Sequence, residues 1–117
     1  MDSNQAARAY LLDLGLDITD DWVCEVAQRD GQDVAVVVTK GTEIHFVSLG
    51  GPAMTRRNTL QFLKPIFERW NFVTTRVPIQ ETDHKLRHVL GFEETWRDEN
   101  FTFWMLTELP FQRRTHQ

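Results

Sequence analysis

The sequence contains one cysteine, Cys24, and one tyrosine, Tyr10, in 117 residues. A single cysteine excludes an internal disulfide and gives no sign of an oxidising compartment, so we expect Cys24 to be a small buried residue on a strand. The N-terminal stretch MDSNQAARAYLLDLGLD lacks the basic start and continuous apolar run of a signal peptide, and no run approaches the length of a transmembrane helix. These absences predict a cytoplasmic protein without a membrane partner.

Neither a large charge of one sign nor a low-complexity run is present. The formal net charge is −4, with 41% hydrophobic and 26% charged residues, which is typical of one soluble domain spanning residues 1–117. An acidic balance disfavours a general nucleic-acid binder, although the pair Arg56-Arg57 and the tail RRTHQ are locally basic. The serine-hydrolase pattern G-x-S-x-G and the phosphate-loop pattern G-x-x-x-x-G-K are both absent. We therefore expect no nucleic-acid partner and neither of those two chemistries.

The first half of the chain predicts a helix followed by an antiparallel meander. The helix begins at Ser3 or Asn4 and stops at Gly15, and the Asp30-Gly31 pair predicts a hairpin turn. The apolar stripe of the helix comprises Ala6, Ala7, Tyr10, Leu11 and Leu14. Alternating apolar and β-branched residues predict three successive strands at Trp22–Gln28, Asp33–Lys40 and Thr42–Leu49.

The second half predicts a long helix, a strand, a short helix and a closing hairpin. The long helix covers Ala53–Trp70, and Pro65 is expected either to kink it or to mark the first turn of its second half. Its apolar stripe comprises Leu60, Leu63, Phe67 and Trp70, with Ile66 alongside. Phe72–Pro78 is the next strand, and a helix then begins at Glu81 or Thr82 and stops at Gly91, burying Leu86, Val89 and Leu90. The stretches EETWR and FTFWMLT form the hairpin, so the fold class is mixed α+β around a mostly antiparallel twisted sheet.

The stretch LRHVLGFEE, from Leu86 to Glu94, resembles a motif of the GNAT superfamily of N-acetyltransferases. In that superfamily the motif is commonly Leu-Tyr-x-x-x-Gly-Phe. Leu86, Gly91 and Phe92 match it, and Arg87 stands in the place of the tyrosine. The order of elements from Trp22 to Leu106 agrees as well. The resemblance implies a GNAT-like fold truncated at the N-terminus, because the superfamily usually has one more early strand and a second early helix. The chain resembles more closely short, divergent GNAT-like proteins carried by tailed phages.

The resemblance also implies an acetyl-CoA site, whose usual loop is (Gln/Arg)-x-x-Gly-x-(Gly/Ala) at the start of the long helix. The corresponding stretch here, PAMTRR at residues 52–57, has no glycine, so we expect weak or absent acetyl-CoA binding. Arg56 and Arg57 either are solvated or paired with acidic residues, which we favour, or have taken over phosphate recognition. The candidate cofactor-binding residues are Val47, Leu49, Gly50, Gly51, Arg56 and Arg57.

Acyl transfer to an amine needs a base, and the resemblance suggests Glu43 and His45 on the third strand as the catalytic candidates. Their alternation with Ile44 equally suits a plain solvent-facing strand surface, which we favour. Tyr10 is predicted to lie in the core. His84 and His88 are four residues apart without a third ligand, so we predict partly exposed helix-surface histidines and no metal.

The closing hairpin is apolar on both faces, because Phe101, Phe103 and Met105 alternate with Thr102, Trp104 and Leu106. This pattern predicts either a homodimer or protein contact through the hairpin, or a strand covered on both sides within the monomer. Two functions stay open at this point. One is a GNAT-like protein with a degenerate acetyl-CoA site and little or no catalysis, encoded by a phage and serving in the virion or its assembly. The alternative is an active acetyl-CoA-dependent N-acyltransferase of an unknown amine.

Overall fold

The structure, a computed structural model, describes residues 2–111 and contains nine helices and strands in that range. They are α1 (Ser3–Asp13), β1 (Val23–Arg29), β2 (Gln32–Lys40), β3 (Glu43–Ser48), α2 (Arg56–Trp70), β4 (Val73–Pro78), α3 (Lys85–Leu90), β5 (Glu93–Arg97) and β6 (Phe101–Leu106). The predicted order of elements is confirmed. No helix within residues 2–111 is long and apolar enough to cross a membrane.

All six strands form one sheet in the order β1-β2-β3-β4-β6-β5. Neighbouring strands are antiparallel except β3 and β4, which run parallel because α2 carries the chain across between them. These two strands share a single register pair, Glu43 with Thr74, and part beyond it. The mixed α+β class with a mostly antiparallel sheet, expected from the sequence, is therefore confirmed.

The sheet carries a hydrophobic core on each face. On one face α2 buries Phe62, Leu63 and Ile66 against the sheet, and on the other α1 buries Ala7 and Leu11. The stretch Val34 to Val38 of β2 is buried at every position, since a strand covered on both faces has no solvent side. The outer strand β5 is exposed throughout.

The long helix begins later than the sequence pattern predicts. Thr55 is the N-cap, in extended conformation, and its Oγ1 accepts a hydrogen bond from the N–H of Asn58 at 3.0 Å. This capping box ends the irregular loop at Thr55, so residues 53–55 are outside the helix. Pro65 lies inside α2, which continues to Trp70 and stops at Asn71, whose φ of 67° breaks the helix.

The short helix α3 differs from prediction in its start and in its buried face. It begins at Lys85, because Asp83 and Glu81 accept backbone N–H bonds from residues two positions later and form local turns in place of a first helical turn. Of the three predicted core residues only Leu90 is buried, whereas Leu86 and Val89 are more than half exposed. A helix of six residues presents too short a stripe to bury all three.

Two residues singled out for their rarity are also less buried than predicted. Tyr10 on α1 is more than half exposed, since the buried stripe of that helix narrows to Ala7 and Leu11. Cys24 on β1 is half-buried. The N-cap of α1 is Asp2, which accepts the N–H of Gln5, instead of Ser3 or Asn4.

Candidate functional site

The site is the gap that opens where β3 and β4 part. The N–H of Thr74 donates to the carbonyl of Thr42 at 2.7 Å, and the Thr75 hydroxyl donates to the carbonyl of Ile44 at 2.7 Å. Because the peptide groups of alternate residues in a strand point to the same side, those of Phe46 and Ser48 face the gap with that of Ile44. The gap therefore offers backbone donors and acceptors on its β3 wall.

A cavity of about 420 Å³ occupies this gap, between α1 on one side and α3 on the other. More than half of the residues that line it are aliphatic or aromatic, and its polar lining residues are Tyr10, His45, Thr75, Arg76, Gln80, Glu81, Asp83 and Arg87. A cleft with an apolar wall and convergent polar groups is the usual form of a small-molecule site. The structure thus brings the predicted His45 together with polar residues that the sequence did not assign to a site.

Glu43, His45 and Arg76 form a hydrogen-bonded cluster at the start of the gap. Glu43 Oε2 lies 2.5 Å from His45 Nε2 and 3.0 Å from Arg76 Nε. Burial raises the pKa of Glu43, but the hydrogen bond and charge of His45 and of Arg76 outweigh it, so the pKa lies below its ordinary value. The carboxylate is consequently held ionised between two partners.

His45 is buried, contrary to the solvent-facing surface we favoured from the sequence. Its side chain is 7% exposed, because it lies on the sheet face that carries the α1 core cluster and the ring of Trp22 lies 5.8 Å away. Strand alternation correctly put Glu43 and His45 on one face, but it does not tell whether a helix covers that face. A buried histidine bonded to a carboxylate is a candidate base in a way that an exposed one is not.

Arg87 takes a defined position in the opposite wall. Its guanidinium donates to His84 Nδ1 and to the carbonyl of Asp83, and it lies 5.6 Å from the centre of the Trp104 ring. Burial lowers the pKa of Arg87 below its ordinary value, although the group stays cationic at neutral pH. The side chain that stands where the motif of the resemblance has a tyrosine is thus a cation on the wall of the cavity.

The predicted site for the phosphates of acetyl-CoA lies at the N-terminus of α2. Gly50 has a φ of +87°, and Arg56 and Arg57 are exposed in a first helical turn that contains no acidic residue. The Thr55 cap occupies the N–H of Asn58, which leaves the N–H groups of the two arginines to face an anion. This end of α2 suits a phosphate, because it offers two backbone donors, two guanidiniums and the helix dipole. It offers fewer free backbone N–H groups than a glycine loop supplies.

Val47 and Leu49, which the sequence assigned to the cofactor site, do not present their peptide groups to the gap. The Val47 side chain is buried against α1, and the N–H of Leu49 donates to the carbonyl of Val34 on β2. The neighbouring Phe46 and Ser48 present their peptide groups to the gap instead. Gly51 lies in the loop between β3 and α2, next to the side chain of Gln32.

His84 and His88 do not face one another as ligands. His84 is the N-cap of α3 and accepts from Arg87, and both imidazoles pack on the ring of Trp104, at 4.8 Å and 5.5 Å between ring centres. Within residues 2–111 no group of three or more histidine, cysteine or carboxylate side chains could hold a metal ion.

The fold is shared with a solved acetyltransferase. The structure of a ribosomal-protein-alanine N-acetyltransferase from Brucella melitensis superposes with a TM-score of 0.56 and 16% sequence identity, covering 89% of this chain and 78% of that one. No protein-family model matches the sequence, and a search of curated proteins finds no match. The likeness establishes an acetyltransferase-like fold for this chain.

Proposed function

We propose that this protein is an acyl-CoA-dependent N-acyltransferase whose base is the His45–Glu43 pair. The observation that carries the proposal is the position of this pair: a buried imidazole, bonded to an ionised carboxylate, on the wall of the cavity between two splayed strands. The acetyltransferase-like fold supports it. Structural burial alone does not call for a histidine and a glutamate at this point of the sheet, since burying charge is costly.

The residues along the gap suit the parts of an acyl-CoA. The peptide groups of Phe46 and Ser48 can hydrogen-bond the amides of the pantetheine arm, as a neighbouring strand would. Arg56 and Arg57 would hold the diphosphate at the N-terminus of α2. The aliphatic wall of the cavity excludes water around the reacting carbonyl.

The acyl-CoA supplies an acyl group already activated as a thioester. His45 donates from Nε2 to Glu43, which leaves the Nδ1 lone pair to accept the proton that the amine nitrogen loses as it bonds to the carbonyl carbon. Glu43 stabilises the resulting imidazolium. When the carbon–sulfur bond breaks, its electron pair leaves with the sulfur, and the cationic wall residue Arg87 stabilises the negative charge.

A transfer assay with acetyl-CoA and a panel of amines tests the proposal. His45→Ala should lower kcat by about 10²- to 10⁴-fold, the contribution typical of a general base. The affinity for acetyl-CoA, measured by calorimetry, should change little. His88→Ala is the matched control, since this exposed histidine lies on α3 and does not line the cavity. Equal activity in wild type and His45→Ala contradicts the assignment of the base.

A second candidate is a non-catalytic GNAT-like protein, phage-encoded, with a role in the virion or its assembly. The observation that favours it is the capping box at Thr55, which takes up a backbone donor that a phosphate loop would leave bare. The absence of glycine at residues 52–57 also favours this second candidate. Calorimetry that shows no acetyl-CoA binding at millimolar concentration would favour this candidate over the first.

A further inference from the structure

The position of Arg87 depends on the protonation of one histidine. Nδ1 of His84 lies 2.8 Å from Nη2 of Arg87 and 3.3 Å from its Nε. A guanidinium has donors only, so the imidazole nitrogen that it meets is an acceptor and the ring proton is on Nε2. Arg87 is thus held on the cavity wall by a neutral histidine in one tautomer.

Helix capping does not explain a histidine at the start of α3. His84 is the N-cap, yet its side chain makes no capping hydrogen bond to any residue of the described helix. The N-caps of α1 and α2, Asp2 and Thr55, both form capping boxes, as residues of their type commonly do. A position that gives up a local rule is often a functional one. Because His84 does not itself line the cavity, its role acts through Arg87.

The ring of His84 and the guanidinium of Arg87 are held against the same surface. Both pack on the buried ring of Trp104, with its centre 4.8 Å from that of the His84 ring and 5.6 Å from Cζ of Arg87. Nη2 of Arg87 also donates to the carbonyl of Asp83 at 2.6 Å. An indole ring and a peptide carbonyl do not titrate near neutral pH, so His84 is the partner of Arg87 that changes with pH.

Protonation of His84 would bring two cations to hydrogen-bond distance. An imidazolium donates from both nitrogens and accepts at neither, so the bond from Arg87 is lost. The other charged or titratable groups of the neighbouring elements are Glu81 and Asp83 on the preceding loop, Lys85 and His88 on α3, and Glu94 on β5, which is bonded to Arg97. None of the carboxylates within residues 2–111 forms an ion pair with Arg87 that would replace the lost bond.

We propose that His84 is a positioning residue: when neutral it holds Arg87 beside the departing sulfur, and when protonated it releases Arg87 and slows acyl transfer. Histidine is the side chain that ordinarily changes its charge between pH 5 and 8, so the transfer rate becomes sensitive to pH in that range. This inference rests on the proposed function for the role of Arg87. It rests on the geometry alone for the coupling of Arg87 to His84.

Acetyl transfer by wild type and His84→Gln, measured from pH 5.5 to pH 8, tests the role in catalysis. Glutamine is not a favoured N-cap residue, and its amide oxygen accepts a hydrogen bond at every pH. The ratio of kcat in wild type to kcat in His84→Gln should be near one at pH 8 and should fall about tenfold by pH 5.5. The titration of the base His45 is common to both proteins and cancels in the ratio. A ratio that does not change with pH overturns the inference.

His84→Ala separates positioning from packing. This variant has no acceptor at any pH, so kcat at pH 8 should fall about 10- to 100-fold with KM for acetyl-CoA nearly unchanged, and His84→Gln should restore it. His88→Gln is the matched control, since His88 packs on the same Trp104 ring at 5.5 Å, and it should keep the pH profile of wild type. The same altered profile in His84→Gln and His88→Gln would assign the effect to packing and overturn the inference.

Nitrogen-15 NMR of the imidazole and guanidinium groups tests the coupling without any acyl transfer. At pH 8, Nδ1 of His84 should have the chemical shift of an unprotonated acceptor, and the Nε resonance of Arg87 should move as His84 titrates. In His84→Gln that movement should be absent. An Arg87 resonance that does not follow His84 overturns the inference. If the coupling is present and no amine is acetylated, the proposed function fails and the coupling stands, whereas acyl transfer with a constant kcat ratio does the reverse.

Discussion

Glu43 is 23% exposed and lies between His45 and Arg76, which together lower the pKa of its carboxyl below 4.5. A lowered folded-state pKa means that the unfolded chain binds the proton more tightly, so this group stabilises the fold above pH 4.5 and the contribution is lost as pH falls through the folded-state pKa. We expect the free energy of unfolding of wild type to fall below pH 4.5. In Glu43→Gln this part of the pH dependence should disappear. Urea unfolding between pH 3 and 7 measures the free energy of unfolding of wild type and of Glu43→Gln. The same pH dependence in the two proteins would contradict the assigned pKa shift.

At the residue scale the resemblance suggested Glu43 and His45 as candidates, and strand alternation put them on one face, but the sequence did not predict their surroundings. Arg76 was missed, although a charge among the β-branched residues of VTTRVP is an unusual choice for a central strand and could have been noticed. The burial of His45 depends on Trp22 and on the core cluster that α1 forms on this face of the sheet, and a local sequence pattern does not encode such distant contacts.

Thr55 and Asp2 cap α2 and α1 with the same capping-box arrangement, so they form a matched pair. Thr55→Ala and Asp2→Ala should each lower the free energy of unfolding by about 1 kcal/mol, because each exposes an unpaired backbone N–H. Only Thr55→Ala should also increase affinity for acetyl-CoA, since it releases the N–H of Asn58 at the proposed phosphate site. Calorimetry and urea unfolding of both variants check this, and an equal change of affinity in the two would contradict the site.

Gly91 ends α3 with a φ of +97°, where an L side chain is strained. A Cβ there would meet Leu106 Cδ1 at 3.4 Å, whereas at Gly31, with a φ of +77°, it would meet nothing within 4 Å. Gly91→Ala and Gly31→Ala should therefore both cost about 1 to 2 kcal/mol from backbone strain. Thermal unfolding compares them. A much larger loss at Gly91 would show that packing against Leu106, and not φ, decides the position.

At the element scale the order of helices and strands followed from periodicity, while the helix starts did not. The sequence pattern placed the start of α2 at Ala53 and the start of α3 at Glu81 or Thr82. Apolar spacing indicates which face of a helix is buried, but it does not indicate the residue at which a side chain caps the backbone. The hydrogen bonds of Thr55 and Asp83 decided both boundaries. Gly91 and Asn71 set the helix ends by left-handed conformation, and only the glycine was identified from sequence.

On the scale of the whole molecule, the sheet consists of two antiparallel halves, β1–β3 and β4–β6, that meet at one parallel junction. Thr42, Ile44, Thr74 and Thr75 supply the hydrogen bonds that close this junction at one end, and beyond it the strands separate around the cavity. Four of the five contacts between neighbouring strands are fully paired, and the fifth, between β3 and β4, is partly open, so peptide groups in the centre of the sheet lack strand partners. The sequence did not predict the width of the gap at this junction, because no local pattern reports how far two strands diverge.

Acetyl-CoA should therefore stabilise the molecule as a whole by bridging the two halves. A ligand that binds only the folded state at one hundred times its dissociation constant adds about 2.7 kcal/mol to the free energy of unfolding. We expect that gain in urea unfolding, and we expect slower hydrogen exchange at the amides of Phe46 and Ser48, which face the gap, with less change at the amide of Leu49, which is already bonded to Val34. The paired variant Arg56→Ala and Arg57→Ala should lose most of the stabilisation. Protection at Leu49 without protection at Phe46 would place the ligand outside the gap.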